Sequence, residues 1–298
     1  MFGVYFGKYL EKQGILTSEQ VSELLEENRT ARLKMGFLAV EQGYMTTAQA
    51  DEVNMLQQMQ DKRFGDIAVE KGYLTDAQVG ELLKKQGDAY LIFVQSLIEH
   101  DYMNLEQIQK HLNAYKKSER LTSLDLDAIK SSDIDKIVQV YTKEPAMPPV
   151  VKDFIALTAR NLIRFVDNNL HIDKVERMND YSADYIASQN LEGEYKLFTG
   201  FAGDGQGIKV IAEAYGKEIF DTVDEDVLDA CCEFLNCNNG LFATKLSHED
   251  IELDMVPPVM YLHKTKICSD GNVFRVPFTV QGKAVDLIVC IETKWTIC

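Results

Sequence analysis

Four residues in one predicted helix have the chemistry and the spacing of a functional surface. Within the segment Asp226–Leu246, the residues Asp229, Glu233, Asn236 and Gly240 follow at i, i+4, i+7 and i+11, so they share one helix face. We call these four residues the polar stripe. Apolar residues cover most of the remaining circumference, which predicts a largely buried helix. An unpaired carboxylate is costly to bury, so the stripe must face solvent or a partner. A solvated edge of a packed helix would give the same pattern.

Asparagine is dense around the end of this stripe. Asn236, Asn238 and Asn239 lie close together, although asparagine is a poor helix former. The density indicates that the segment serves something besides helix stability. The sequence has no Ser-His-Asp set, no C-x-x-C pair and no cluster of histidines, so we expect neither a protein nucleophile nor a metal site. The histidines are scattered: His100, His111, His171, His248 and His263.

Composition restricts the classes of partner and the compartment. The chain has 31 Lys and Arg against 47 Asp and Glu, a net charge of -16, which repels nucleic-acid backbones. The sequence contains no run of about 18 apolar residues, so no membrane-spanning helix is predicted. Met1–Lys12 lacks the features of a signal peptide, so we expect a cytoplasmic protein. The cysteines all lie in the second half and are predicted to be reduced and buried: Cys231, Cys232, Cys237, Cys268, Cys290 and Cys298.

A proline cluster predicts the boundary between two domains. A chain of 298 residues exceeds the usual size of one domain. Pro145, Pro148 and Pro149 interrupt the helical pattern, which predicts domains at residues 1–145 and 146–298. In the second domain the hydrophobic pattern predicts helices at 151–170, 208–215 and 226–246 and strands at 171–178, 183–189, 195–201, 258–263, 274–280 and 285–292.

The polar stripe and a proline pair beyond it resemble the signature of the CheC/CheX family of chemotaxis phosphatases. The matching residues are the D-x3-E-x2-N spacing of the stripe and Pro257-Pro258. The single E-x-x-N copy is closer to the CheX branch than to two-site CheC. The resemblance covers Met147–Glu292 and includes the order of helices and strands. The sequence departs from the family pattern at Cys232, where Gly is usual, and the proline pair follows slightly early.

The resemblance implies a CheX-like α/β two-layer domain that removes phosphate from the aspartyl phosphate of a CheY-like receiver domain. Asn236 is then implied to orient the attacking water, and Glu233 to act with it by pairing with a lysine of the receiver. Asp229, Glu233 and Gly240 are implied to contact the partner. The receiver supplies its own Mg²⁺, so no cofactor of this chain is expected. The resemblance also implies a homodimer through this domain.

The first half of the sequence repeats with a period of 29 residues. Each copy predicts a helical hairpin. In the third copy, Gly72 suits a left-handed helix end, and Thr75 with Gln78 forms a capping box. A stack of such units predicts an all-α domain, so the whole chain is predicted to be α+β. The repeated columns are Gly14, Gly43, Gly72 and Asp101; Thr17, Thr46, Thr75 and Asn104; and Gln20, Gln49, Gln78 and Gln107.

The third copy also resembles the motif of the cyclic-di-GMP-binding N-terminal domain of type II secretion and pilus ATPases. Arg63 and Gly65 stand at the basic and glycine positions of that motif, and Lys34 and Gly36 match them in the second copy. The resemblance implies a nucleotide site at these residues. Tight contact between helices explains the glycines as well, so a docking or scaffold role stays open.

Three functions therefore remain as hypotheses. The first is a receiver phosphatase with an N-terminal regulatory or docking domain. The second is a CheX-like adaptor that binds receivers without turnover. The third is a cyclic-di-GMP effector that acts through the repeats. The presence of Asn236 together with Glu233 favours the phosphatase, since an adaptor has no need of the carboxamide.

Overall fold

The chain forms two compact units, Met1–Asp133 and Ile134–Cys298. The computed structural model describes residues 1–31, 35–85, 89–292 and 295–297. The predicted boundary at residues 145 and 146 falls within the second unit, because the helix Ile134–Tyr141 packs on the helix that follows the prolines. Among the described residues, no helix is both long and apolar enough to cross a membrane.

The first unit consists of helices, which confirms the all-α prediction for this half. The turns within its first three hairpins contain glycines at positive φ, 67° at Gly14 and Gly43 and 71° at Gly72. The fourth turn uses Asp101 at 55°. The helices are α1 Phe2–Lys12, α2 Ser18–Ala31, α3 Met35–Glu41, α4 Thr47–Met59, α5 Phe64–Glu70, α6 Asp76–Lys85, α7 Ala89–Glu99, α8 Leu105–Ser118 and α9 Ser123–Lys130.

The second helix of a hairpin begins at a capping box, in which two side chains bond each other's backbone. Thr46 accepts a hydrogen bond from the backbone of Gln49 and its own backbone donates to the Gln49 side chain. Asn104 and Gln107 form the same box at the start of α8. Each box satisfies backbone donors that a helix start otherwise leaves unpaired. The second helices accordingly begin at Ser18, Thr47, Asp76 and Leu105.

The hairpins pack in pairs. We number them hairpin 1 (α1–α2), hairpin 2 (α3–α4), hairpin 3 (α5–α6) and hairpin 4 (α7–α8). Hairpin 1 packs on hairpin 4. Between hairpins 2 and 3, the Tyr44 hydroxyl donates to Glu81 at 2.8 Å and the Tyr73 hydroxyl donates to Glu52 at 2.6 Å. These two hairpins share one core, made of Leu38, Ala39, Met45, Ala50, Val53, Phe64, Ile67, Ala68, Leu74 and Leu82.

The second unit combines helices with an antiparallel sheet, which confirms its α/β prediction. The sheet has the strand order β1-β7-β8-β4-β3-β5, while β2 and β9 pair with β7 and β6 pairs with β3. Its elements are α10 Ile134–Tyr141, α11 Pro149–Phe165, β1 His171–Ile172, β2 Glu176–Ala183, β3 Tyr185–Gly193, β4 Leu197–Gly203, α12 Gln206–Gly216, α13 Glu225–Ser247, β5 Leu253–Met255, β6 Val259–Tyr261, β7 Thr265–Val280, β8 Lys283–Ile291 and β9 Trp295–Ile297.

Helices α12 and α13 form the layer that covers the sheet. Helix α13 packs on β3 and α12 on β8, while α11 packs on the outer side of α13. Strand β4 lies between β3 and β8 and is buried along almost its whole length. Helix α13 is thus packed against the sheet, α11 and α12, and one of its faces remains accessible.

Among the five cysteines that the structure describes, four are free thiols and one is disulfide-bonded. Cys231, Cys232, Cys237 and Cys290 are free thiols, and three of them are buried. Cys268 is disulfide-bonded, so the prediction of reduced thiols is wrong at this residue. Strand β9 pairs with β7 and places Thr296 opposite Cys268. Sequence spacing does not reveal the disulfide of Cys268, and Cys298 lies outside the described residues.

Candidate functional site

Helix α13 carries the polar stripe and begins at a side-chain cap. Asp224 accepts a hydrogen bond from the backbone N–H of Val227 at 3.4 Å. Glu225 and Asp226 lie in the first turn, where negative charge stabilises the positive end of the helix dipole. The helix exceeds its predicted span by one residue at each end.

The polar stripe lies on the accessible face of α13. Asp229 and Glu233 are exposed, whereas Asn236 and Gly240 are partly exposed. The apolar residues of the helix are turned inward, as the sequence pattern predicts. The structure therefore brings all four candidate residues together on one surface. Their roles in catalysis and partner binding stay predictions.

Asn238, near the end of the stripe, anchors α13 to α11. Asn238 is 1% exposed. Its Nδ2 donates to Thr158 Oγ1 at 3.0 Å, and its Oδ1 accepts from Asn161 Nδ2 at 2.8 Å. A buried carboxamide with both ends bonded stabilises the helix contact, because it leaves no unpaired polar atom there.

A buried glutamine of strand β3 connects the other two asparagines. Gln189 is 2% exposed and lies beneath α13. Its Nε2 donates to Asn236 Oδ1 at 2.8 Å and to the carbonyl of Val256 at 2.9 Å. Its Oε1 accepts from Asn239 Nδ2 at 2.8 Å, and the same Nδ2 donates to Thr199 Oγ1 at 3.0 Å. The side chain of Asn236 is thus held from below.

Sequence reasoning missed Gln189. The hydrogen bonds join β3 to α13 across 47 positions of the chain, and no local pattern encodes such a contact. One observation could have pointed to it, since Ser188, Gln189 and Asn190 interrupt the apolar residues in the buried part of this strand. A polar side chain in a buried strand requires a partner.

An apolar rim borders the stripe. Met255, at the end of β5, is 42% exposed, and Val259, in β6, is 46% exposed. The exposed pair Pro257 and Pro258 lies between them. A Cβ added at Gly240 would meet the sulfur of Met255 at 3.8 Å. The accessible surface therefore combines carboxylates, one carboxamide and apolar side chains, a mixture suited to a protein partner.

Burial raises the pKa values of two side chains near the polar stripe, the thiol of Cys232 and the phenol of Tyr215. Burial, reinforced by the charge of Asp229, raises the pKa of Cys232 to about 12. Burial also raises the pKa of Tyr215 to about 12, with smaller contributions from Cys237 and from the charge of Glu233. A thiol with a raised pKa stays protonated at neutral pH and is a weak nucleophile. Cys232 is therefore unsuited to covalent catalysis.

In the first unit, helix packing accounts for the glycines of the suspected nucleotide motif. A Cβ at Gly65 would lie 2.9 Å from Cγ1 of Val79, and one at Gly36 would lie 3.2 Å from a ring of hairpin 3. Arg63 occupies the N-cap position of α5 without a side-chain cap bond. Lys34 lies outside the described residues. The nucleotide site stays a prediction.

Comparison with a family model identifies the family that the second unit resembles. Residues 185–279, from β3 through α13 and into β7, match the family described as chemotaxis phosphatase CheX. The second unit is a CheX-like domain. The resemblance inferred from the stripe and the proline pair is thereby confirmed for this part of the chain. The match includes the whole polar stripe and Gln189.

Similar solved structures cover the CheX-like domain. A CheC-like superfamily protein from Shewanella sp. PV-4 is 22% identical, with 49% of this chain and 99% of that chain covered and a TM-score of 0.43. The chemotaxis protein CheX from Desulfovibrio desulfuricans is 17% identical, with 49% and 100% covered and a TM-score of 0.43. A CheX–CheY–BeF3–Mg²⁺ complex from Borrelia burgdorferi is 18% identical, with 48% and 97% covered and a TM-score of 0.39. Comparison with curated proteins gives no match.

Proposed function

We propose that the CheX-like domain hydrolyses the aspartyl phosphate of a CheY-like receiver domain in two-component or chemotaxis signalling. One observation carries this proposal: within the region that matches a phosphatase family, Glu233 and Asn236 are accessible on one helix face. In this proposal the protein acts in the cytoplasm, and its first unit regulates the reaction or docks a partner.

The proposed reaction needs a water in line with the phosphorus atom. The water oxygen forms a bond to phosphorus while the bond from phosphorus to the aspartyl oxygen breaks. That oxygen keeps the electron pair and becomes a carboxylate again, and both water protons leave with the phosphate. A carboxamide can accept and donate hydrogen bonds and so fix the water in place. Asn236 has this role.

The remaining stripe residues have roles in docking. Glu233 lies one turn before Asn236 on the same exposed face and pairs with a lysine of the receiver. Asp229, a further turn away, adds negative charge to the contact. Gly240 has no side chain, so the partner backbone can approach closely beside Met255. The receiver brings its own Mg²⁺ as part of the substrate, so the domain needs no resident cofactor.

The decisive experiment measures phosphate release from a receiver. A CheY-type receiver domain is phosphorylated with acetyl phosphate in the presence of Mg²⁺, freed of the donor and followed with and without the full-length protein. We expect the protein to accelerate phosphate release at catalytic concentrations. Binding of the phosphorylated receiver without faster release would replace the phosphatase proposal with the adaptor hypothesis. Light scattering of the same sample tests the predicted homodimer.

A second candidate function, a cyclic-di-GMP effector, concerns the first unit. The observation in its favour is that hairpins 2 and 3, which carry both motif copies, share one hydrophobic core. Calorimetry of the full chain with cyclic-di-GMP tests it. Binding at micromolar concentrations that is lost on joint substitution of Lys34 and Arg63 by Ala would support this candidate. Absence of binding would leave the hairpins as a docking scaffold.

A further inference from the structure

The orientation of the Asn236 carboxamide follows from a chain of hydrogen bonds that ends at a backbone carbonyl. The oxygen and nitrogen ends of a carboxamide are nearly equal in shape, so the partners decide which end faces which way. The carbonyl of Val256 can only accept a hydrogen bond, so the atom of Gln189 that faces it must be the donor Nε2. That same Nε2 faces Asn236. The atom of Asn236 that meets it must therefore be Oδ1.

The other end of Gln189 agrees with this assignment. Its Oε1 accepts from Asn239 Nδ2, which also donates to Thr199 Oγ1. The Thr199 hydroxyl in turn donates to the backbone carbonyl of Gln189 at 3.0 Å. Two backbone carbonyls, those of Val256 and Gln189, thus terminate the network. Reversing any one carboxamide would place two donors or two acceptors face to face.

We propose that Gln189 is a positioning residue that fixes the carboxamide of Asn236 in one of its two orientations. This inference rests on the proposed phosphatase function. With Oδ1 held by Gln189, the Nδ2 group makes no hydrogen bond to any described residue and is available to a docked receiver. One lone pair of Oδ1 also remains to accept from the attacking water. Asn236 therefore presents donor and acceptor in a fixed order before the partner arrives, which lowers the cost of ordering the water.

The test separates turnover from receiver binding. Gln189→Met keeps the length and approximate volume of the side chain but removes its donor and acceptor. We expect kcat to fall about 10- to 100-fold, because the carboxamide of Asn236 then loses its position as well as its preferred orientation, while KM for the acetyl-phosphate-labelled receiver stays unchanged. The matched control is Asn238→Leu, which breaks a buried carboxamide network on the same helix without touching Asn236. We expect the control to keep the wild-type kcat.

A measurement on the protein without a receiver tests the hydrogen bond itself. In a ¹H–¹⁵N spectrum with assigned side chains, the Nε2 protons of Gln189 should exchange slowly and should shift on Asn236→Ala. Unshifted resonances, or an unchanged kcat in Gln189→Met, would overturn the role of Gln189. Absence of turnover in the wild-type protein would instead overturn the proposed function, and the spectrum would still decide the orientation of Asn236.

Discussion

At the residue scale, the burial of each asparagine in α13 determines whether its carboxamide packs the helix or faces a partner. Asn238 and Asn239 are buried, so their hydrogen bonds join the helix to its neighbours. Asn236 lies on the accessible face, and its side chain bonds within the described part of the chain through its oxygen, to Gln189. One amino-acid type thus supplies both the rigidity and, in the proposed mechanism, the group that orients the water. Substitution of Asn238 should consequently affect stability, whereas substitution of Asn236 should affect turnover.

Asn236→Ala should abolish most phosphatase activity and leave the fold intact. The substitution removes the group that orients the water, and loss of one such hydrogen-bonding group costs about two to three orders of magnitude in kcat. Phosphate release from the phosphorylated receiver measures the effect. Thr244→Ala, an exposed substitution one turn beyond the stripe, is the control. Wild-type turnover in Asn236→Ala would remove Asn236 from the mechanism.

Glu233→Gln should raise KM for the phosphorylated receiver by about tenfold, because a charge-assisted contact becomes a neutral one. The loss should shrink at high salt, since exposed charges are screened there. Glu249→Gln is the matched control, because Glu249 is an exposed carboxylate beyond the stripe. If KM were equal in both variants at low salt, Glu233 would be an ordinary surface residue.

At the element scale, glycine decides how closely helices approach in the hairpins. The glycine Gly65 in α5 faces Val79 of α6, and an added Cβ would lie 2.9 Å from Cγ1 of that stiff, branched side chain. Gly80, one position further along α6, has nothing within 4 Å of its Cβ position. Gly65 and Gly80 therefore form a matched pair. Substitution by alanine should have opposite effects on stability at these two positions.

Gly65→Ala should destabilise the first unit by about 1–2 kcal/mol, since overpacking costs about 1–3 kcal/mol and the better helix propensity of Ala returns part of it. Gly80→Ala should stabilise the unit by up to about 1 kcal/mol, because Ala loses less backbone entropy there. Urea unfolding followed by far-UV circular dichroism measures both. Equal stability of the two variants would show that Gly65 is not needed for packing.

Elements could be predicted from the sequence where their signals are local. The apolar pattern around the stripe defines α13 to within one residue at each end, and the capping residues define where α4 and α8 begin. Long-range pairings could not be predicted. The predicted strand 274–280 is only the second part of β7, which begins at Thr265 and pairs with β2, β8 and β9. Gln189 was missed for the same reason.

At the scale of whole structural units, the pairing of hairpins shows what repetition alone does not determine. A period of 29 residues suggests that each copy stacks on the next. Instead, hairpins 2 and 3 share a core and hairpin 1 packs on hairpin 4. The ion pairs between hairpins differ accordingly. Lys71 pairs with Glu52 at 2.9 Å, whereas His100, one period later, pairs with Glu27 at 2.8 Å.

The contact between hairpins 1 and 4 should therefore depend on pH. The hydrogen bond with Glu27 raises the pKa of His100 above its ordinary value of 6.5, and the charges of Glu27, Glu23 and Glu99 add to this shift. A raised pKa in the folded state means that the folded protein binds the proton more tightly. The stabilisation is then fully present below the ordinary pKa and is lost as pH rises through the raised value.

Thermal unfolding between about pH 6 and pH 9 measures this dependence, because this range begins about half a unit below the ordinary histidine pKa and ends about 2.5 units above it. We expect the melting temperature of the wild-type protein to fall as pH rises. His100→Lys should flatten this part of the profile, because a lysine stays charged over the whole range, as Lys71 does in hairpin 3. His111→Lys, on the neighbouring helix α8, is the control and should keep the wild-type slope. If both variants kept that slope, the pair of His100 and Glu27 would contribute nothing to the pH dependence of the first unit.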